Sequence, residues 1–169
     1  MSRSLIAVSL LALALSLTAC NKGSDAPKST APAVLSAPTT SDDDAWKAYL
    51  GQVVAQNMLG VTDRVYPYYL PANSSVPTPG DPDNHSQYDR QLQNVSDVVA
   101  RTVLPGNMLA FGSPDSTKMG DLIVTAMTGA KPEALKGSQV LFIGKPADKD
   151  RVKAVVEAAG GKYIFVEAK

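Results

Sequence analysis

Three short apolar runs mark the last third of the chain, and helical patterns separate them. The runs are "MLAF" at 108–111, "VLFI" at 140–143 and "YIFV" at 163–166. Each is short and continuously apolar, which is typical of strands buried on both faces of a parallel sheet. Amphipathic helical patterns lie between them, near Ser116–Thr128 and Asp148–Ala159. The pattern predicts a C-terminal β-α-β-α-β unit with right-handed crossovers.

Two further helical patterns precede this unit. The first begins at polar capping residues around Asp42, and the second runs from about Ser86 to Leu104 and ends before Pro105. Each carries one apolar stripe, which is typical of a helix that packs on a core. We expect the two helices to cover the exposed face of the sheet. The predicted fold class is α/β: a small three-layer α/β sandwich with a mostly parallel sheet, whose strand order the sequence leaves open.

A tyrosine-rich segment, "VYPYY" at 65–69, lies between those two helices. Its composition predicts extended structure, and Pro67 places it at a sheet edge or a bulge. Tyr66, Tyr68 and Tyr69 are candidate partner-binding residues that could line a recognition groove. The alternative is that they cover the flank of the domain, with buried rings and hydrated hydroxyl groups.

The start of the chain combines a positive charge with an apolar run. Arg3 lies in a short polar segment, Leu5–Leu17 is almost wholly apolar, and the small residues Thr18 and Ala19 follow. This order is typical of a secretory signal. The apolar run has about 13 residues, whereas a membrane-spanning helix needs roughly 20. The pattern predicts a cleaved signal peptide over residues 1–19.

The sequence Leu17-Thr18-Ala19-Cys20 resembles the lipobox of bacterial lipoproteins. The resemblance implies cleavage before Cys20, a diacylglyceryl thioether on its sulfur and an acyl chain on its new amino group. Several acyl chains give a stable membrane anchor, whereas one chain binds only marginally. Asn21 follows the cysteine, which by the same resemblance favours the outer membrane over the inner one, on the periplasmic side. An ordinary secreted protein that is cleaved near a cysteine is the alternative.

Residues 21–41 are rich in Ala, Pro, Ser and Thr and contain no aromatic residue. Such a segment has too little apolar surface to offset the entropy of ordering, so we predict a disordered tether. The predicted organisation is a signal peptide at 1–19, the lipidated cysteine and tether at 20–41, and one globular domain at 42–169. Because lipid would consume the single cysteine, the domain would have no disulfide.

The best candidate ligand site follows the first buried strand. In "FGSPDSTKMGD", the chain enters a predicted helix, and Lys145 follows the next strand. The candidates for binding a phosphate-type anion are Gly112, Ser113, Ser116, Thr117, Lys118 and Lys145. Ligands tend to bind at the carboxyl ends of parallel strands, and helix N-termini attract anions. Against this, no phosphate-binding glycine motif is present, and Asp115 would repel an anion. Plain helix capping explains the same residue types.

Charge and composition exclude several function classes. The chain balances 16 Lys and Arg against 16 Asp and Glu, so no basic excess indicates a nucleic-acid partner. It has one histidine, His85, in a loop rich in Asp and Asn. That loop lacks the EF-hand spacing, and turn chemistry accounts for its residues. We therefore predict no metal, no cofactor and no catalytic residue, and we disfavour an enzyme.

These observations favour a membrane-anchored, periplasm-facing lipoprotein that acts as a binding or assembly module for another envelope component. A small anionic-ligand binding domain that uses the loop at 112–118 is the alternative. An envelope hydrolase is a weaker one.

The anchor can be tested by replacing its acceptor. Cys20→Ser should abolish lipid attachment and release the protein from the membrane fraction, because the thioether needs the cysteine sulfur. Metabolic labelling with a fatty acid, together with membrane fractionation, measures both effects. Unchanged membrane retention of the variant would refute the lipobox interpretation.

Overall fold

The computed structural model describes residues 35–169. The predicted signal peptide, Cys20 and most of the predicted tether lie outside the described residues. The elements of the described part, in chain order, are α1 (Asp43–Gln56), β1 (Val65–Tyr69), α2 (Gln87–Ala100), β2 (Met108–Gly112), α3 (Ser116–Met127), β3 (Gln139–Gly144), α4 (Pro146–Ala158) and β4 (Lys162–Glu167).

The four strands described form one parallel sheet in the order β1-β2-β3-β4. In register, Val65 pairs with Met108, which pairs with Gln139, which pairs with Lys162. Every residue of β2 and β3 is buried, because both strands are central and both of their faces are covered. The α/β class and the C-terminal β-α-β-α-β unit predicted from the apolar runs are confirmed.

Side chains of alternate residues divide the core into two clusters. Leu109 and Phe111 of β2 point towards a face covered by α2, α3 and α4, which we call the three-helix face. Met108 and Ala110 point towards the opposite face, where Trp46 and Leu50 of α1 pack, and which we call the α1 face. Helices on both sides of the sheet make the predicted three layers.

The expectation that both N-terminal helices cover one face is wrong. Val95 and Val99 of α2 pack in the same cluster as Met119 of α3 and Val152 of α4. The reason is the strand β1, which lies between α1 and α2 in the chain. Each step from one strand to the next moves in the same direction across the sheet, so connections of one hand place α2, α3 and α4 on one face.

Local chemistry moves several helix ends from the predicted positions. α2 begins with a capping box between Ser86 and Asp89. It ends before Thr102, whose φ of 69° is left-handed and incompatible with a continuing helix. α4 begins at Pro146, two residues earlier than predicted, because proline suits the first turn of a helix, where no intrahelical N–H bond is needed.

The last seven residues of the predicted tether are within the described part, and they contact the domain. Leu35 and Ala37 pack against the cluster on the α1 face. The Ala37 N–H donates to the Lys169 carbonyl at 2.7 Å, and the Trp46 indole N–H donates to the Thr40 carbonyl at 2.9 Å. Contacts with the domain therefore begin at residue 35 at the latest. Among residues 35–169, no helix combines the length and the apolar character that crossing a membrane requires.

Candidate functional site

Residues of the predicted anion site lie near one another at the carboxyl ends of β2 and β3. Ser116 starts α3, Lys145 precedes α4, and the backbone N–H of Lys145 donates to the Ser116 hydroxyl oxygen at 2.7 Å. The same hydroxyl donates to a carboxylate oxygen of Asp148 at 2.6 Å. Ser116 and Asp148 are both 6 % exposed. The Ser116 hydroxyl therefore joins the starts of two helices, and both of these bonds are internal to the protein.

Arg151 extends this connection across the surface of α3. Its guanidinium donates to Asp148 at 2.6 and 3.0 Å, to Asp121 at 2.6 Å and to the Thr117 carbonyl at 2.9 Å. A Cβ atom at position 120 would lie 2.5 Å from a guanidinium nitrogen, so Gly120 provides the space that Arg151 occupies. We call Ser116, Asp148, Arg151 and Asp121 the interhelix network.

The network controls the charge of Asp148. Burial alone would raise the pKa of this carboxyl group, but hydrogen bonds from Ser116 and Arg151 and the positive charge of Arg151 outweigh it, so the pKa lies below its ordinary value. The carboxylate is thus held in its charged form by groups that belong to the fold. Perturbed carboxyl groups often mark functional sites, but structural ion pairs produce the same effect.

The remaining polar residues of the predicted site cap α3. The Ser113 hydroxyl accepts the Asp115 N–H at 3.0 Å, and the Asp115 carboxylate accepts the Lys118 N–H at 3.0 Å. The Lys118 ammonium donates to the Ala72 carbonyl at 3.0 Å and lies 3.7 Å from Asp115. A shallow depression of about 330 Å³ remains beside Asp115, Thr117 and Lys145. Anion binding there stays a prediction, and the geometry assigns the loop to capping.

The loop that contains the single histidine is tied together by Asp81 and Arg90. The Asp81 carboxylate accepts the backbone N–H groups of Asp83 and His85 and pairs with Arg90 at 3.1 Å. The His85 N–H bond, the first of several causes, holds the pKa of Asp81 below its ordinary value. Asp81, Asp83 and His85 could in principle offer ligand atoms to a metal ion. Their present bonds are those of a turn, with Arg90 fastening it to α2.

A second, larger concavity follows the outer edge of β1, and we call it the β1-edge groove. Its volume is about 720 Å³. Arg64 and Leu70 bond to β2 through their backbone groups, so the backbone groups of Val65, Pro67 and Tyr69 face outward. Pro67 and Tyr69 line the groove. Pro67 has no N–H, which an outward position at an edge strand tolerates.

Two helical stripes from separate parts of the chain form the walls of the groove. The α1 wall has residues 43, 47, 50 and 51, and the α2 wall has residues 87, 90, 91 and 94. These spacings place each set on one helical face. Neither wall was predicted from the sequence, because the apolar stripe of each helix indicates only the face that packs on the core. The spacing of Gln87, Gln91 and Asn94 was a signal that could have identified the α2 wall.

The three candidate tyrosines do not form one patch. Tyr68 stacks on Phe111 with ring centroids 4.9 Å apart, on the three-helix side. Tyr69 points to the α1 side, where its hydroxyl donates to Asp43 at 2.8 Å and its ring lies 5.6 Å from the Lys47 ammonium. Burial raises the pKa of Tyr69, and the bond with Asp43 raises it further. Tyr68 and Tyr69 line the groove, whereas Tyr66, on an outer part of β1, is 36 % exposed.

Two features of the walls have no structural explanation within the domain. Gly51 lies inside α1, yet a Cβ atom there would meet nothing within 4 Å. A glycine inside a helix costs roughly 0.5–1 kcal/mol relative to alanine, so packing does not require it. Within the described residues, the side-chain nitrogen of Gln91 is buried without a hydrogen-bond partner. The missing side chain at Gly51 leaves the groove open on its α1 wall. On the α2 wall, the Gln91 side-chain nitrogen is left without a hydrogen bond.

Comparison with known proteins identifies no relative of this chain. No protein family matches the chain, no curated protein is significantly similar to it, and no solved structure matches its fold significantly. Function must therefore be argued from the site itself.

The interhelix network can be tested by removing the hydroxyl at its centre. Ser116→Ala would leave a buried Asp148 oxygen and the Lys145 N–H without a partner, so the free energy of unfolding should fall by about 2 kcal/mol. Urea denaturation measures the change. Ser96→Ala, which removes a hydroxyl from the middle of α2, is the matched control and should change stability by less than about 0.5 kcal/mol. Equal stability of the two variants would contradict the network.

The pH dependence of stability tests the charge of Asp148. Because its pKa is lowered by folding, its contribution is fully present above the ordinary carboxyl value and is lost as pH falls through the folded-state value. The wild type should therefore lose stability more steeply below about pH 4 than Asp148→Asn. Urea midpoints measured from pH 6 to pH 2 would show this, and parallel curves would disprove the assignment.

Proposed function

We propose that this chain is a membrane-anchored, periplasm-facing lipoprotein that binds another component of the cell envelope through the β1-edge groove. The observation that carries the proposal is the groove, which lies between two helices and along an open strand edge. At about 720 Å³ it has more than twice the volume of the depression at the strand ends, about 330 Å³. The anchor and the bacterial outer membrane as its location remain proposals from the lipobox resemblance.

The chemistry of the groove fits a polypeptide segment. Its floor presents the outward N–H group of Tyr69 together with backbone carbonyl groups, and its α2 wall adds the amide side chains of Gln87 and Asn94. Such groups can pair with the backbone of an extended chain. Because Pro67 removes one donor from the edge, a complete added strand is disfavoured. We infer that side chains of the two walls supply much of the recognition.

The charged groups in the walls are largely satisfied by neighbours. Arg90 binds Asp81, Thr78 and the His85 carbonyl, and Lys47 lies 3.5 Å from Asp44. Tyr69 and Asp43 are bonded to each other. A partner would therefore meet a groove that is polar without a large excess of either charge. This favours a mixed polar and apolar peptide over a strongly charged ligand.

The alternative, a phosphate-type ligand at Gly112–Lys118 and Lys145, has less support. The Ser116 hydroxyl and the Lys118 ammonium, which would contact the anion, already bond within the protein. Asp115 adds a negative charge to the same depression. An envelope hydrolase remains the weaker alternative, and no contact described above favours it.

Filling the groove tests the proposal without damaging the fold. Gly51→Gln replaces an exposed glycine with a better helix former, so the domain should become more stable by about 0.5 kcal/mol. The new side chain would occupy the groove and should reduce partner capture at least tenfold. The anchored protein is cross-linked in intact envelopes, and captured proteins are quantified by mass spectrometry.

Ala55→Gln is the matched control, since it adds the same side chain one turn later on α1, at an exposed position outside the groove. It should keep wild-type capture of the same partner. If both variants capture as the wild type does, the groove is not the binding surface. If nothing is captured while inorganic phosphate raises the melting temperature of the wild type but not of Lys118→Ala, the anion alternative replaces the proposal.

A further inference from the structure

The loops that precede the four described strands meet at one end of the domain, which we call the amino end. The strands are parallel, and their first residues lie side by side in register: Val65, Met108, Gln139 and Lys162. The loops that lead into them are residues 57–64, 101–107, 128–138 and 159–161. Side chains from separate parts of the chain are therefore brought together at this end.

Two leucines in these loops are the most exposed large hydrophobic side chains of residues 35–169. Leu59 is 88 % exposed and Leu104 is 66 % exposed. The Leu59 carbonyl accepts a side-chain N–H of Gln139 at 3.0 Å, and the Leu104 carbonyl accepts the Ser138 hydroxyl at 2.9 Å. Because Ser138 and Gln139 are consecutive, the start of β3 holds both leucines at the same end of the sheet.

The two leucine-bearing loops are also bonded to each other and to the next loop. The N–H groups of Thr62 and Asp63 donate to the Gly106 carbonyl at 3.0 and 3.1 Å. The Gly106 N–H in turn donates to the Gly137 carbonyl at 2.8 Å. The exposure of Leu59 and Leu104 thus belongs to a hydrogen-bonded arrangement of the backbone. Single exposed apolar residues are common on protein surfaces, but two that are fixed together indicate a contact surface.

The amino end also carries an excess of basic residues. Its four loops, taken together with Lys162, contain five Lys and Arg residues and two Asp and Glu residues. All five basic residues are exposed: Arg64, Arg101, Lys131, Lys136 and Lys162. The loops at the opposite end, residues 70–86, 113–115 and 145, contain three Asp and one Lys. Basic residues near helix C-termini complement helix dipoles, but that role gives no reason for the exposed leucines.

We propose that the amino end contacts the surface of a membrane that contains anionic phospholipids. We call Leu59, Leu104 and the five basic residues the amino-end patch. The leucine side chains would enter the boundary between headgroups and acyl chains, and the basic side chains would contact lipid phosphates. The positive charge of the patch is complementary to such a surface, although the whole chain is neutral.

The composition of the patch favours lipid over a protein partner. The four loops contain no aromatic residue, whereas aromatic side chains are enriched at the centre of protein interfaces. Glycines and Lys162 line the depression beside Gln139, so this part of the surface offers no large apolar side chain for a partner to pack against. Leucine combined with lysine and arginine is typical of segments that bind at a membrane surface.

This contact goes beyond the proposed anchor and does not depend on the groove. The 14 residues between Cys20 and Leu35 could extend over at most roughly 50 Å, so an anchor at Cys20 would allow either end of the sheet to face the membrane. The amino-end patch would select one orientation. The β1-edge groove is lined by the first halves of α1 and α2, so it would lie towards the end that faces away from the lipid.

Quenching of tryptophan emission by brominated phospholipid tests the contact, because bromine quenches only at close range. The full chain, purified as the cell produces it, is reconstituted with vesicles of brominated phosphatidylcholine and phosphatidylglycerol. The quenched emission of Leu104→Trp should be at least about threefold larger than that of Val76→Trp. Val76 is an exposed residue in a loop at the opposite end, and the buried Trp46 gives both variants the same background.

Two changes in the Leu104→Trp chain test the separate parts of the patch. Leu59→Gln removes the neighbouring apolar side chain and should reduce quenching at least about threefold. Lys131→Glu should do the same, because it replaces attraction to lipid phosphates with repulsion. Lys145→Glu is the matched control, since it makes the same charge change at an exposed lysine of the opposite end, and it should keep the quenching.

Three results would overturn the proposal. The first is equal quenching of Leu104→Trp and Val76→Trp. The second is an equal effect of Lys131→Glu and Lys145→Glu. The third is quenching that is as strong in vesicles without phosphatidylglycerol, because the basic residues would then have no role. None of these results bears on the groove, which Gly51→Gln tests separately.

Discussion

Both faces of a parallel sheet must be covered by other parts of the chain. In this protein the two faces are covered unequally, and the rest of the structure depends on that difference. Three helices cover one face, whereas on the other α1 packs against β1 and β2. Leu141 and Ile143 of β3 are nevertheless fully buried on that second face. Leu35 and Ala37, which precede the predicted domain, pack against the same cluster. The α1 face is therefore covered in part by the end of the predicted tether, whose apolar side chains Leu35 and Ala37 are partly buried there.

The same inequality explains where sequence reasoning succeeded. The central strands were predictable because burial on both faces leaves a continuous apolar run, as in "VLFI" at 140–143. Helix stripes show which side of a helix is apolar, but not which face of a sheet it meets. That second property follows from strand order, and β1 was the least distinctive strand because Pro67 and an open edge dilute its pattern. The placement of α2 was therefore wrong although the helix itself was predicted.

At the candidate site, too, residue types alone did not determine the role of the residues, whereas the distances do. Ser113, Asp115 and Ser116 are the residue types of both a helix cap and an anion site, so the sequence could not separate the two. The distances do: the Ser116 hydroxyl lies 2.6 Å from Asp148, a residue 32 positions later. The groove walls were unpredictable for a related reason. They combine polar residues of α1 and α2, and only the edge of β1 brings those faces together.

Closing the strand ends has a consequence for where a ligand can bind. In open parallel sheets the carboxyl ends usually provide the binding crevice, because backbone and helix-terminal groups are left free there. Here Ser116, Asp148 and Arg151 bond to one another across that position, and Gly120 and Gly144 make room for the contacts. The polar groups at the strand ends thus stabilise the fold and are not left free for a ligand. The outward backbone groups of β1, by contrast, lie at an open edge of the sheet, where a segment of another chain is a natural complement, and this is why the proposed binding surface lies at that edge.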